Sequence, residues 1–541
     1  MKKYLFVFLI FPLLNIAQTY SWAKAGNGAG GYCEGMAVAT DSNSNFFITG
    51  QYTSPNIIFG TYTLTNAGVN GDAYLVKYDM NGNIQWANSI GGAQDEIANS
   101  VATDGSGNVF VTGQFTSPSM VIGTFTLINS GNDDVFLAKY DQNGNVVWAQ
   151  NFGDSGSEFA FGISADASGN SFVTGSFSST SLAIGTTTLT NPGGNDALFI
   201  AKYSAVGIPQ WALSAGGVSD YGLAAATDIA GNVYISGSFS SPTLTFGTTT
   251  ISSTGFSSAF VGKFDTNGNS LWARASSGSA YADGFGVSAD PSGNVYMTGD
   301  FTGAKAVFGA FTVTNPGGGT MFVTKYDAAG NVQWAKGAGG GGGHIGYSVS
   351  SYTGGIYVTG GVTAPTSVFG AYTLSTPTAS TDPMFIVRYD PNGNVICADV
   401  LPTGGDDQSG VSVDKFGNAF ITGDFIFSPF VLGTTSLTAV GTEDVFVMRY
   451  TCSYNLGIEV LDKDISSSIY PNPNNGSFNL KISSELDNAE LILFNVLGQK
   501  VHEQRIEEGI NTINVKANNG IYNYIILQDN QKISEGKVVL E

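Results

Sequence analysis

Two histidines and three cysteines among 541 residues leave little material for the commonest catalytic and metal-binding constellations. No Ser-His-Asp set or zinc cluster can be assembled, and the cysteines are too few and too scattered for a disulfide framework. Lysine and arginine total 21 against 42 aspartates and glutamates, a net charge of -21. A phosphate backbone needs a basic surface, so nucleic acid is excluded as a partner. Charged residues make up only 12%, too few for a helical protein. Beyond the first residues no run of about 20 apolar residues occurs, so no transmembrane helix is expected.

What is abundant is glycine, at 73 residues, and aromatics, at 12%. That profile fits many short strands joined by tight turns. The N-terminus carries Lys2 and Lys3 and then an apolar stretch over residues 4–14. This reads as a signal peptide, 1–17, cleaved after Ala17.

A repeat organises the next 430 or so residues. The six tryptophans, Trp22, Trp86, Trp148, Trp211, Trp272 and Trp334, are spaced by 61 to 64 residues, and the next step lands on Cys397. Glycines at 50, 113, 175, 237, 299, 360 and 423 keep the same step. So do the basic–aromatic pairs Lys77-Tyr78, Lys139-Tyr140, Lys202-Tyr203, Lys263-Phe264, Lys325-Tyr326, Arg388-Tyr389 and Arg449-Tyr450. Each of the seven units holds four short strands with Gly/Asn turns between them, and a longer connection of about twenty residues between the second and third. No such unit can bury both faces alone, so neighbours must stack in a ring. The strand around Trp22 lacks a preceding Lys-Tyr strand, and residues 445–450 lack a following Trp strand. Pairing these two orphans closes the last blade.

The pattern over Asp290 to Gly299, with Phe308-Gly309, Phe322 to Asp327 and Gly330 to Ala335, resembles the bacterial β-propeller repeat family. In the sixth unit Thr353-Gly354-Gly355 departs from its turn. The resemblance implies a seven-bladed β-propeller over 18–452, placed outside the cell, and no single activity. The Tyr-Asp-x-Asn-Gly-Asn turns also resemble, with altered spacing, the Asp-box of sialidases. With only Arg274, Arg388 and Arg449 in the repeats, the arginine cluster of a sialidase cannot be built.

A polar linker, 453–468, leads to a different composition. The stretch Tyr470-Pro471-Asn472-Pro473, then Leu497-Gly498-Gln499-Lys500 and Gly536-Lys537-Val538-Val539 sit among short alternating strands that read as a small β-sandwich. Residues 469–541 resemble the type A sorting domain of type IX secretion. The resemblance implies that the type IX machinery is a partner and that the protein ends secreted or attached to the outer surface.

The connections between units often carry acid, and the candidate ligand-binding residues are Asp95, Glu158, Asp220, Asp283 and Asp407. They either cap strand-start amides or line an acidic funnel for a cationic ligand. No cofactor is expected, though such a funnel could hold calcium. His344, in a glycine-rich connector, reads as a lone surface histidine. Tyr52, Tyr62 and Phe125 are the expected exposed loop aromatics, and Asp72 and Asp134 the expected charge partners of the strand-three lysines. Cys397 and Cys452 are a candidate disulfide in an oxidising compartment. The resulting expectation is an all-β, non-enzymatic binding or adhesion protein whose ligand is a glycan or protein. The alternative is an extracellular carbohydrate-active enzyme using a carboxylate pair.

Overall fold

The computed structural model describes residues 17–376, 383–403, 409–453, 467–482, 489–495, 500–528 and 531–541. Most of the signal segment, most of the linker and Asp407 lie outside these residues. The described chain is all β, with no helix and no sheet closed into a barrel. No helix in it is long and apolar enough to cross a membrane. Two compact units separate between Cys452 and Ser453.

The first unit contains seven four-stranded arrangements in chain order. The second, for example, runs Glu96–Thr103, Val109–Phe115, Asp134–Tyr140 and Val146–Phe152, each strand antiparallel to the next. The seventh takes its fourth strand from the other end of the chain. Ala17–Asn27, which contains Trp22, is the hydrogen-bonded neighbour of Asp444–Ser453. This is the pairing predicted by the two orphan strands. The first strands of successive sheets lie against one another, and that of the seventh lies against Cys33–Thr40 of the first.

The repeated markers have specific physical roles. In the first six units the second-strand glycine faces a bulge in the first strand. A Cβ on Gly113 would sit 1.8 Å from the Ile97 carbonyl oxygen, so only glycine fits. The tryptophans fasten neighbouring sheets. The Trp86 indole donates to the Gln142 carbonyl of the next sheet at 3.1 Å, and Trp148, Trp211, Trp272 and Trp334 do the same one unit on. The ring packs beneath Gly144, whose φ of 84° and closeness to the indole both require glycine. Burying each indole contributes roughly 2–3 kcal/mol.

The strand-three lysines reach for the same carbonyls, Lys77 to Gln142 at 2.9 Å and Lys202 to Thr266 at 2.9 Å. Two also pair with aspartates of the first turn, Lys139 with Asp104 at 3.2 Å and Lys263 with Asp228 at 3.4 Å. This corrects the expected charge compensation with Asp72 and Asp134. Those acids begin the third strand while the lysines lie near its end, and a 7-residue strand keeps them apart. Where Cys397 replaces the seventh tryptophan, a disulfide to Cys452 fastens the sixth sheet to the seventh.

A second correction concerns the long connections. In every unit they fold into a two-stranded hairpin, such as Ser119–Ile122 with Phe125–Ile128, turning through a positive-φ glycine. Tyr62 and Phe125 are half-buried in these hairpins, and Tyr52 is fully buried at a strand end, so none forms an exposed aromatic surface.

In the second unit Ser467–Tyr470, Ser477–Ile482 and Gly509–Asn514 form one sheet. Ala489–Phe494, Lys500–Ile506, Gly520–Gln528 and Gln531–Leu540 form another. Phe478, Leu480, Leu491, Leu493, Ile526 and Val538 share one core between them.

Candidate functional site

The first strands of all seven sheets line one cavity of about 730 Å³. Its walls carry small and apolar side chains such as Ala37, Ile163, Ala224 and Val349, with Phe161, Phe285 and Tyr347 among them. Polar groups enter from the first two sheets. Gln51 donates to Glu34 at 2.6 Å, and Asn99 donates to Gln114 at 2.5 Å and to the Ala160 carbonyl at 2.9 Å.

The acidic connections lie where the third strand of one sheet starts beside the first strand of the next, a place termed a seam below. The register at six seams is set by the residue that opens each first strand: Cys33, Glu96, Glu158, Asp220, Ala282 and His344. These positions are buried. Glu158 accepts from the Asp154 amide at 2.9 Å and the Ser179 hydroxyl at 2.6 Å. Asp220 accepts from four amides, those of Gly217, Val218, Ser240 and Ser241, and from the Ser241 hydroxyl at 2.6 Å. Both therefore cap backbone donors in the manner of buried turn carboxylates. His344 is buried too, with Nε2 2.9 Å from the Ser367 hydroxyl, which corrects the expected surface histidine. Burial holds its pKa below the usual imidazole value.

Asp95 and Asp283 are out of this register by one residue in opposite directions. Asp95 is exposed and accepts from Asn70 at 3.1 Å and the Gly71 amide at 3.0 Å. Its neighbour Glu96 holds the buried place, where burial and the nearby Asp72 charge push it up to about 7. Burial likewise pushes Asp72 up to about 6. The structure does not bring Asp95, Glu158, Asp220 and Asp283 together, since each belongs to a different seam. Among the described residues no three His, Cys, Asp or Glu side chains form a group that could hold a metal ion.

Asp283 has different company. It sits directly across the strand pair from Asp300, and the Ser257 hydroxyl lies 3.5 Å from its Oδ1. Cross-strand partners have Cβ atoms about 5 Å apart, close enough for the two charges to interact, while the Asp300 carboxyl lies towards Gly319 at the next seam. Burial, then the Asp283 charge, pushes Asp300 up to about 7, and burial raises Asp283 as well. Just outside them Phe256 and Tyr281 stack on each other, with centroids 5.3 Å apart and rings 20° from parallel. They are 71% and 52% exposed. The corresponding residues are Asn70 with Asp95, Asn132 with Ser157, Asn195 with Ser219, and Gly318 with Gly343 at four other seams, and Thr442 with Tyr32 at the closing one. The aromatic pair was not anticipated from sequence. The signal was present as a column of asparagines interrupted by a phenylalanine.

The C-terminal residues 468–541 match the family described as the secretion system C-terminal sorting domain. A curated relative, the uncharacterized WD repeat-containing protein L264 of Acanthamoeba polyphaga mimivirus, is 25% identical over 497 residues, covering 73% of this chain. The chain spans about a third of that relative's length, 35%. Among solved structures, a protein of unknown function from Dyadobacter fermentans overlaps 82% of this chain and 100% of its own at 10% identity and a TM-score of 0.36. PorZ, a surface component of the type IX secretion system of Porphyromonas gingivalis, overlaps 94% of this chain and 81% of its own at 9% identity and a TM-score of 0.18. Overlaps this loose carry no argument about activity. The sorting domain says nothing of activity either, but it implies a protein that is secreted or placed at the cell surface.

Proposed function

We propose that the protein is an exported, non-enzymatic binding protein. Residues 18–452 form a seven-bladed β-propeller closed by its N-terminal strand. Type IX machinery delivers it by recognising residues 469–541, after loss of the signal peptide. The ligand, a glycan or another protein, meets the face where the seams open. The observation that carries this reading is the unbroken circuit of seven first strands around one cavity, in a chain that ends in a sorting domain. A rigid ring whose connections vary from unit to unit is a scaffold for recognition. The WD repeats named in the viral relative are themselves propeller units, which supports the same reading. Of the acidic candidates, Asp283 is retained at the ligand face and Asp95 at its edge. Glu158 and Asp220 hold the seams closed, because their oxygens are taken up by backbone amides.

The test is an array of purified glycans and of partner-cell surface proteins, probed with the full mature chain with and without calcium. Binding without turnover is expected. A chain that binds nothing on the array, or electron-microscopic averages with a blade number other than seven, would sink the proposal. The cross-strand pair Asp283 and Asp300, one of them raised towards neutrality, favours one second reading, a carbohydrate-active enzyme. Release of reducing ends from a bound polysaccharide, lost in Asp300→Asn, is the result that would install it.

A further inference from the structure

We propose that the seam between the fourth and fifth sheets is a subsite for a neutral sugar ring, with Phe256 and Tyr281 as the platform and Asp283 as an acceptor for its hydroxyls. This rests on the binding reading above and names the ligand class for one part of that face.

The repeat supplies an internal control. The same address recurs at the six described seams, and the fold needs no aromatic there, since asparagine with serine serves at Asn132 and Ser157 and again at Asn195 and Ser219. Only here among the described seams do two rings stack in the open. They take no part in the hydrophobic core beneath, where Ala282, Phe301 and Phe322 pack. Large apolar rings that lie outside the core and face water mark a surface kept for a partner.

A second departure coincides with the first. At the second, third and fourth sheets the strand-opening residue is a buried acid, while here it is Ala282 and the acid has moved one residue on. Along a strand that step turns a side chain to the other face. Asp283 is thereby released from seam capping and set across from Asp300.

The seam is tied together by short contacts. The Phe256 amide donates to the Ala280 carbonyl at 2.8 Å, and the Ser257 hydroxyl bridges towards the Ala282 carbonyl and Asp283. Platform and Asp283 therefore belong to one local structure. A flat apolar surface bordered by hydrogen-bond acceptors matches a sugar ring, which presents C–H groups on its face and hydroxyl donors on its rim. The net charge of -21 disfavours phosphorylated or sulfated ligands, so the ring is a neutral one.

The test uses the full mature chain in affinity gels containing laminarin, xyloglucan or glucomannan, followed by titration with the polysaccharide that retards it. The key variant is Phe256→Asn with Tyr281→Ser, which installs the chemistry of the preceding seam and so leaves the fold intact. An unchanged melting temperature checks this. Asp283→Asn is the second variant, and Asn143→Ala, in a tight turn of the second sheet, is the control. The expected result is retardation by at least one of the three glycans. The affinity falls at least tenfold in the double variant and severalfold in Asp283→Asn, and holds in the control. Retardation by none of them, or equal affinity in the double variant, overturns the subsite. Equal affinity leaves the protein a binding protein with its site elsewhere. Hydrolysis of the glycan, with KM raised tenfold in the double variant, keeps the subsite and overturns the non-enzymatic reading.

Discussion

The seam between the third and fourth sheets and the seam between the fourth and fifth join the same strands of neighbouring sheets and carry opposite chemistry. At the first, Asp220 is fully buried and takes five hydrogen bonds, while the surface above it is Asn195 and Ser219. At the second, a small apolar Ala282 fills the buried place, the carboxyls stand one residue further on, and the surface is two stacked rings. The comparison separates what the ring requires from what it displays. A seam must be closed, by a carboxylate gathering loose amides as at Asp220 or by an uncharged side chain such as Ala282, Cys33 or His344. What lies beyond that plug is free to change.

The largest expected effect tests the closing role. Asp220→Ala strands five donors, three of them buried, and should cost about 3 kcal/mol, read as a lower urea midpoint with unchanged m-value. Asp283→Ala should stay within about 0.5 kcal/mol of the parent. Equal losses at the two positions would erase the distinction between the seams.

A smaller effect comes from Asp300. Its folded pKa of about 7 lies above the ordinary 3.8, so between those values folding holds a proton that the unfolded chain has released. Its contribution to stability is therefore highest below about pH 4, falls as pH rises and levels off above about 7. Asp300→Asn should flatten that part of the pH–stability curve and raise stability at pH 8 by about 1–3 kcal/mol. A parallel displacement of the whole curve, with its slope kept, would show that Asp300 titrates normally.

The smallest effect is the most informative about display. Phe256→Asn with Tyr281→Ser should change unfolding free energy by less than about 0.5 kcal/mol, because exposed residues away from the core rarely matter more. A loss above about 2 kcal/mol would make the rings structural.

Much of the ring was legible because its fasteners are rare residues on a fixed step. Tryptophan, the Lys-Tyr pair and the second-strand glycine each answer one geometric demand, a carbonyl in the next sheet or a bulge in the adjacent strand. The hairpins were not legible, since four residues either side of a glycine are too short to show a period. The acidic series was blurred by a slip of a single residue. Repeats spaced by 61 to 64 residues cannot tell Asp95 from Glu96 as the partner of Glu158, yet one of them is buried and the other exposed. The aromatic pair was hidden for the same reason, and Tyr52 stood out instead although its ring is at the end of a buried strand.

The strand bearing Trp22 has a consequence in time. It is the first part of the repeat array to be made, and its hydrogen-bonding neighbour, Asp444–Ser453, is the last. Tyr20 donates to Asp399 and lies 5.6 Å from the Tyr450 ring, contacts that span nearly the whole array. Loops of that length close slowly, and only after the final sheet exists. Until then the chain is an open arc with an unpaired edge at one end. A partly made chain thus has no finished domain to unravel, and completion of the ring is deferred until the last strand of the array exists.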